Sequence, residues 1–319
     1  MKFKHTVNLL IDNFKTMYKL LLYRIVITVI SMFAYYGLIT LFFNNLNNIQ
    51  YYSDLTESIS AMFNLFLEGD FPEAGKYVPE IINNFTALMD YLATTPGLLA
   101  SFIIEMLVTS LITRFFQGLG NYTASELVND KMAMQSEPHF MVTLIKNLGK
   151  SSAYNGIYVP LSLIYDCVCA VGVYFLMFKA LHFLPLLAQL FLAVLLIIML
   201  IALKLTFATD WLPAMICGKK NVGRAMTYSF ARKSKGTVAV YEFYAFSCLL
   251  IMGINVMAAI CTLGVGLVIS IPLSYIYLLC YEFVNYYVNN DIRFFTDKRT
   301  IIHPEHEKET SREDFLRGE

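Results

Sequence analysis

Six long apolar segments decide what this chain can fold into. A bilayer core about 30 Å thick needs about 20 apolar residues in a helix, and each segment meets that length. They cover residues 22–43, 97–117, 154–178, 182–205, 238–261 and 265–287. Only 15% of the 319 residues are charged, whereas ordinary soluble domains carry about 25%. The sequence therefore predicts an all-α, polytopic membrane bundle with six transmembrane helices.

The distribution of basic residues predicts the orientation of the bundle. Of the 24 Lys and Arg residues, all but Lys76 and Lys179 lie on one side of the six segments. Basic residues gather on the cytoplasmic side of membrane proteins, so both termini are predicted to be cytoplasmic. The loop 44–96 then faces outward, and it carries seven acidic residues. Two amphipathic helices are expected within this loop, on the bundle or on the outer leaflet.

An amphipathic basic helix precedes each outward-going segment. The three helices are expected within residues 3–19, 137–154 and 218–236, and in the third copy Val222, Met226 and Phe230 recur every four residues. This spacing indicates an amphipathic helix. The occurrence of such a helix before each outward-going segment suggests a three-fold repeat of an interfacial helix followed by a hairpin. The predicted domains are a six-span membrane domain over 1–290 and a cytoplasmic hydrophilic tail over 291–319.

The third basic stretch also carries a family resemblance. Residues 207–293 resemble the membrane domain of bacterial glycerophosphodiester phosphodiesterases and related stand-alone six-span bacterial inner-membrane proteins. The matching positions are Pro213, Gly218, Val222, Ala225 and Ser229. The resemblance implies a bacterial source and a helical membrane fold. The catalytic barrel of those enzymes has no counterpart in this sequence, so the resemblance implies no catalytic residue.

Two carboxylates within the apolar segments are the clearest candidates for chemistry. Glu105 lies near the middle of the second segment and Asp166 near the middle of the third. Placing a charged residue at that depth costs free energy, and residues of this kind are usually functional. Ser101 and Thr109 stand one turn to either side of Glu105, so they share its helix face. No lysine is expected at that depth. If the two segments are in contact, Glu105 and Asp166 could share a proton or hold a cation. The alternative is that each carboxyl group is a hydrogen-bonded packing residue between helices.

The basic stretch itself is predicted to contact anionic lipid headgroups. Each basic residue near an anionic membrane surface contributes about 1 kcal/mol to binding. The candidate headgroup contacts are Lys219, Lys220, Arg224, Arg232, Lys233 and Lys235. Because this stretch lies between two membrane segments, nucleic acid is not an expected partner.

The sequence motifs of several enzyme classes are missing. The chain has no Walker phosphate loop, no dinucleotide-binding glycine motif, no nucleophile elbow and no zinc-protease motif. No enzyme activity, cofactor or metal is therefore predicted. The segment 303–319 is expected to be solvated or partly disordered, and a soluble or membrane protein partner could bind there.

Two functions remain open at this stage. The first is a non-enzymatic multi-pass protein of the bacterial cell membrane, which contacts lipid through its basic helices and serves membrane homeostasis. The alternative is a small proton- or cation-coupled transporter that uses the intramembrane carboxylates.

Overall fold

The structure is a computed structural model that describes residues 2–46, 49–181, 183–231, 236–297, 300–304 and 308–311. Helices dominate these residues. The helices are α1 (Lys2–Asp12), α2 (Phe14–Leu46), α3 (Gln50–Glu68), α4 (Phe71–Thr94), α5 (Pro96–Met134), α6 (Phe140–Lys146), α7 (Leu148–Phe175), α8 (Leu186–Ala208), α9 (Trp211–Ile216), α10 (Val222–Ala231), α11 (Thr237–Cys261) and α12 (Leu267–Asn289). A π-helical turn at Leu176–Ala180 follows α7.

Six candidate membrane spans are present in the described residues, and they confirm the predicted all-α polytopic bundle. Five are α2, α5, α7, α11 and α12, and the other runs from Ala188 to Ile216 and takes in α9. Each is long and apolar enough to cross a bilayer. The protein is therefore a multi-pass membrane protein. Short helices α1, α6 and α10 precede α2, α7 and α11, as the interfacial-helix pattern predicts, but the repeat as a duplication stays a prediction.

The chain divides into two compact units. The first contains residues 1–25 and 115–319, and the second contains residues 26–114. The largest core belongs to the first unit and joins α1, α5, α9 and α12. Trp211, the single tryptophan, lies in this core. The centroid of its ring is 5.5 Å from the ring centroid of Tyr154 and 5.8 Å from that of Tyr158.

An ion pair fastens the N-terminal helix to this core. Lys131 of α5 is 4% exposed, and its Nζ lies 3.1 Å from Asp12 Oδ2 and 3.4 Å from Glu137 Oε1. The same Nζ donates to the backbone carbonyl of Asp12. At the other end of α1, Lys2 Nζ donates to Asn285 Oδ1 of α12 at 2.8 Å. Helix α1 therefore bridges α5 and α12.

The second unit contains a helical hairpin made of α3 and α4. Gly69 ends α3 with φ of +84°, a conformation that glycine adopts without steric cost. Asp70 then caps α4 by accepting a hydrogen bond from the Glu73 backbone N–H at 3.3 Å. This confirms that the loop between the first two spans contains two helices, and both are longer than the sequence pattern indicated.

Part of the hydrophilic tail is a small antiparallel sheet. Strands β1 (Phe294–Phe295), β2 (Thr300–His303) and β3 (Lys308–Ser311) pair in the order β1-β2-β3. The sequence pattern predicts a solvated or partly disordered segment only over 303–319, which contains β3 and the last residue of β2, and it predicts none of the three strands. The apolar residues of β1 and β2 pack on the rest of the first unit. Phe294 and Ile302 belong to the main core, and the Phe294 ring lies edge-on to His5 of α1 at 6.1 Å.

Candidate functional site

A groove with a volume of about 910 Å³ lies in the first unit, and several basic residues line it. We call it the basic groove. It lies between the last turns of α5, the α6–α7 junction, and the segment 215–223 that ends α9 and begins α10. Its charged lining residues are Glu126, Asp130, Lys146, Lys150, Lys219 and Lys220. Four ammonium groups against two carboxylates give this groove an excess of positive charge.

One face of α5 supplies the acidic wall of the groove. Tyr122, Glu126, Asn129 and Asp130 follow the i, i+4, i+7, i+8 spacing of a single helix face. The Tyr122 hydroxyl hydrogen-bonds the Glu126 carboxylate, and the Asp130 carboxylate is close enough to repel it. Both carboxyl groups are half-buried, whereas Lys146, Lys150 and Lys219 are exposed.

The lysines come from two separate stretches of the chain. Lys146 and Lys150 are exposed at the end of α6 and in the first turn of α7, and Lys219 is exposed in the connection before α10. Lys146 is within electrostatic range of both carboxylates. Lys220 is half-buried, with its Nζ 3.1 Å from the centroid of the Tyr228 ring. A cation held over an aromatic face in this way has a restricted position.

The end of the groove near α12 is fixed by a junction of three chain segments. Asn129 Oδ1 of α5 accepts hydrogen bonds from the Tyr287 hydroxyl of α12 at 2.9 Å and from the Cys217 thiol at 3.0 Å. Burial raises the pKa of Cys217 to about 12, so at neutral pH the sulfur keeps its proton and remains a donor. The junction therefore anchors the segment that carries Lys219 and Lys220.

The predicted headgroup contacts fall into two groups. Lys219 and Lys220 line the basic groove, and Arg224 is exposed in the first turn of α10. The other predicted contacts, Arg232, Lys233 and Lys235, lie outside the described residues. On α10 the buried side chains are Ala225 and Ser229, and Phe230 is 51% exposed. The face of α10 that packs on the core also includes the partly buried Val222 and Met226, and Phe230 lies outside it.

The residues around Glu105 lie in the second unit. Glu105 is exposed and Thr109 is half-buried on α5, while the Ser101 hydroxyl donates to the backbone carbonyl of Leu98 at 2.9 Å. The Thr113 hydroxyl, farther along the same stripe, donates to Ser31 Oγ of α2 at 3.0 Å. The polar stripe is thus used in part for hydrogen bonds within and between helices. A shared site of Glu105 and Asp166, which belong to different units, stays a prediction.

Asp166 has a basic partner that the sequence analysis did not expect. Lys204 Nζ of α8 donates to Asp166 Oδ1 at 2.6 Å, and it lies 5.9 Å from the centroid of the Tyr165 ring. The expectation that no lysine lies at this depth is wrong, because Lys204, near the end of the segment 182–205, reaches Asp166 from the neighbouring helix. A carboxylate that already binds an ammonium group is poorly suited to hold a transported cation. This contact therefore argues against cation binding at Asp166, and the transporter alternative stays a prediction.

The Asp166–Lys204 pair can be tested by a double-mutant cycle. Lys204→Met leaves a carboxylate without its ammonium partner inside a span, so it should destabilise the protein more than the double variant Asp166→Asn/Lys204→Met. We expect a coupling free energy of about 1–3 kcal/mol. Unfolding in detergent, followed by Trp211 fluorescence, measures it. Additive effects of the two single changes would show that the pair contributes nothing to stability.

Arg24 is a further interior charge that the sequence analysis counted only toward orientation. Its Nη2 donates to Asn121 Oδ1 of α5 at 2.8 Å, and its Cζ lies 4.4 Å from the centroid of the Tyr275 ring of α12. Arg24 thus joins α2, α5 and α12 within the first unit. Its place inside the predicted segment 22–43 was the available signal, since an arginine beyond the start of an apolar segment needs an internal partner.

No protein family, curated protein or solved structure matches this chain. The resemblance of residues 207–293 to bacterial six-span membrane proteins therefore stays a prediction. The positions that carry it take part in the structure described above: Gly218 precedes Lys219 at the groove, Val222 lines the groove, and Ala225 and Ser229 are buried on α10.

Proposed function

We propose that this chain is a non-enzymatic multi-pass protein of the bacterial cell membrane whose basic groove binds the phosphate of an anionic lipid headgroup. Its role would be in membrane homeostasis, with both termini in the cytoplasm. The observation that best supports the proposal is the convergence of four lysines from two stretches of chain on one groove. A phosphate group satisfies several ammonium donors at once, whereas a neutral ligand satisfies none of their charge.

The position of the lysines supports a lipid as the source of that phosphate. Lys150 lies in the first turn of α7, a candidate span, and Lys219 comes three residues after the candidate span that ends at Ile216. Residues this close to the ends of spans lie at the level of the headgroups. The two half-buried carboxylates of α5 would limit how closely the phosphate approaches that side of the groove. They would also favour a headgroup that carries an amine or a hydroxyl beyond the phosphate.

The proposal predicts that two lysines of the groove control lipid affinity. In Lys146→Gln/Lys219→Gln, binding of dioctanoyl phosphatidic acid to the full chain in neutral detergent should weaken about 30-fold, because each lysine contributes about 1 kcal/mol. Trp211 fluorescence is a suitable readout, since the Trp211 indole N–H donates to the backbone carbonyl of Val222 at 3.2 Å and Val222 lines the groove. Native mass spectrometry would count the bound lipid independently.

The matched control removes the same charge elsewhere. Lys4 and Lys15 are exposed and do not line the basic groove, so Lys4→Gln/Lys15→Gln should leave the affinity nearly unchanged. Equal weakening in both double variants would show a general charge effect and contradict the proposal. Two further titrations identify the ligand. Dioctanoyl phosphatidylcholine should bind weakly, and inorganic phosphate that competes as well as the lipid would point to a soluble anion and overturn the lipid assignment.

A further inference from the structure

The α3–α4 hairpin of the second unit has a very small core. Its core cluster contains Leu55, Leu88 and Leu92, together with Leu46 at the end of α2, and Ala74 of α4 is also buried. Many larger apolar side chains of the hairpin are left exposed, and their arrangement on the two helices is regular.

Helix α4 exposes one apolar stripe along its length. The stripe follows the i, i+7, i+11, i+14, i+18 spacing, which returns to the same side of an α-helix at every step. Its members are between 45% and 59% exposed. They are Phe71, Val78, Ile82, Phe85 and Met89.

Helix α3 exposes a second stripe that continues the first. It contains Ile59, Phe63, Phe66 and Leu67, which are 42–70% exposed. Viewed from the N-terminus of each helix, the exposed stripe lies in the same direction of rotation from the side that packs on the partner helix. In an antiparallel pair this rotation places both stripes on one face of the hairpin. The rings of Phe66 and Phe71, whose centroids are 4.9 Å apart, join the two stripes at the turn.

The acidic residues of the hairpin lie away from this apolar face. On α3 they are Asp54, Glu57 and Glu68, and on α4 they are Glu73, Glu80 and Asp90. The basic residue of the hairpin, Lys76, pairs with Glu73. The hairpin therefore has an apolar face without charge and a strongly acidic opposite side.

Short connections keep the hairpin at a membrane surface. Helix α2 ends at Leu46 and α3 begins at Gln50, while a single residue separates Thr94 of α4 from Pro96 of α5. Both α2 and α5 are candidate spans. Helices of 19 and 24 residues are about 28 and 36 Å long, so an apolar face of this length must find an apolar surface close to where the spans end.

We propose that the α3–α4 hairpin lies in the plane of the membrane interface, with its apolar face buried in the leaflet where α2 ends and α5 begins. Its partner is a zwitterionic lipid surface. Interfacial helices that recognise anionic lipid carry lysine and arginine beside the apolar face, whereas this hairpin carries acids, which an anionic surface repels. The hairpin and the basic groove would thus select lipids of different charge.

Depth-dependent quenching in the full chain tests this inference. Phe85→Trp places a second tryptophan on the apolar face, and Asn83→Trp places one at an exposed position on the acidic side. Each is compared with the parent chain, whose Trp211 signal is subtracted, in nanodiscs that hold one copy each. With phosphatidylcholine brominated on its acyl chains, we expect loss of the added fluorescence in Phe85→Trp and little loss in Asn83→Trp. Aqueous iodide should show the reverse order.

Other outcomes would overturn the proposal. Equal quenching of both added tryptophans by iodide would show that the apolar face stays in water. Protection of Phe85→Trp from both quenchers would show that another part of the same chain covers the face. Replacing half of the brominated phosphatidylcholine with equally brominated phosphatidylglycerol keeps the quencher concentration constant. Quenching should then fall, and an increase would contradict the preference for zwitterionic lipid. None of these readouts depends on the basic groove, so this inference and the proposed function can fail separately.

Discussion

Lys131→Met is expected to lower the free energy of unfolding by about 3 kcal/mol or more. Removing one partner of a buried ion pair leaves the other charge without compensation, and this typically costs 3–5 kcal/mol. Lys131 is 4% exposed, and its loss would leave both the Asp12 carboxylate and the Asp12 carbonyl without their ammonium donor. Because Asp12 ends α1, the N-terminal helix should detach more easily from the core.

Lys15 provides the matched control for this change. Lys15 Nζ lies 3.7 Å from Glu137 Oε2, but the Lys15 side chain is 77% exposed. Exposed ion pairs contribute about 0–1 kcal/mol, so Lys15→Met should change stability by no more than that. Denaturation in detergent, followed by Trp211 fluorescence, compares the two. A similar loss of unfolding free energy in both variants would mean that the buried contacts of Lys131 stabilise the protein no more than the exposed pair of Lys15 with Glu137.

Gly118→Ala is expected to destabilise the protein by about 1–3 kcal/mol, the usual range for overpacking a tight core. A Cβ at this position of α5 would lie 2.0 Å from Asn155 Oδ1 and 2.6 Å from Asn155 Cγ. Asn155 is 1% exposed, and its Nδ2 donates to the Ser151 carbonyl at 2.8 Å. The amide cannot move aside without losing this hydrogen bond, so α5 and α7 would have to separate.

Two further variants make the Gly118 prediction specific. Gly156 lies on α7 beside Asn155, and a Cβ there would meet nothing within 4 Å. Gly156→Ala should therefore leave stability unchanged or raise it by about 0.4–1 kcal/mol. In the double variant Gly118→Ala/Asn155→Ala the smaller side chain makes room, and the two changes should be less than additive. Full additivity would place the strain somewhere other than the contact between these two residues.

The spans could be predicted from sequence because the bilayer sets their length and requires helices, and the short helices that precede three of them could be predicted from their apolar periodicity. The basic groove could not be predicted from sequence, because the apolar pattern shows where a span ends but not how the polar segments beyond that end are folded. Helix α5 continues to Met134, and this continuation puts Glu126 and Asp130 on one face. Their i, i+4 spacing was visible, but whether the segment was helix or loop was not.

Charged contacts between distant segments were the other part that sequence reasoning missed. Lys204 meets Asp166 across 38 positions, and Arg24 meets Asn121 across 97. Both basic residues served only to predict the orientation of the bundle, so no partner within the bundle was expected for either. The strands of the tail were missed for a related reason: a few apolar residues such as Ile301 and Ile302 become ordered only through a surface that the rest of the chain supplies.

The burial of α12 bears on the order in which the protein assembles during synthesis. Half of the apolar window of α12 is buried, against 6% for α7 and 11% for α11, and α12 is the last of the six spans along the chain. Its Asn285 accepts the hydrogen bond from Lys2 of α1. Helix α1 can therefore form its ion pair with α5 as soon as α5 is made, but its contact with α12 has to wait until the last of these spans has been synthesised.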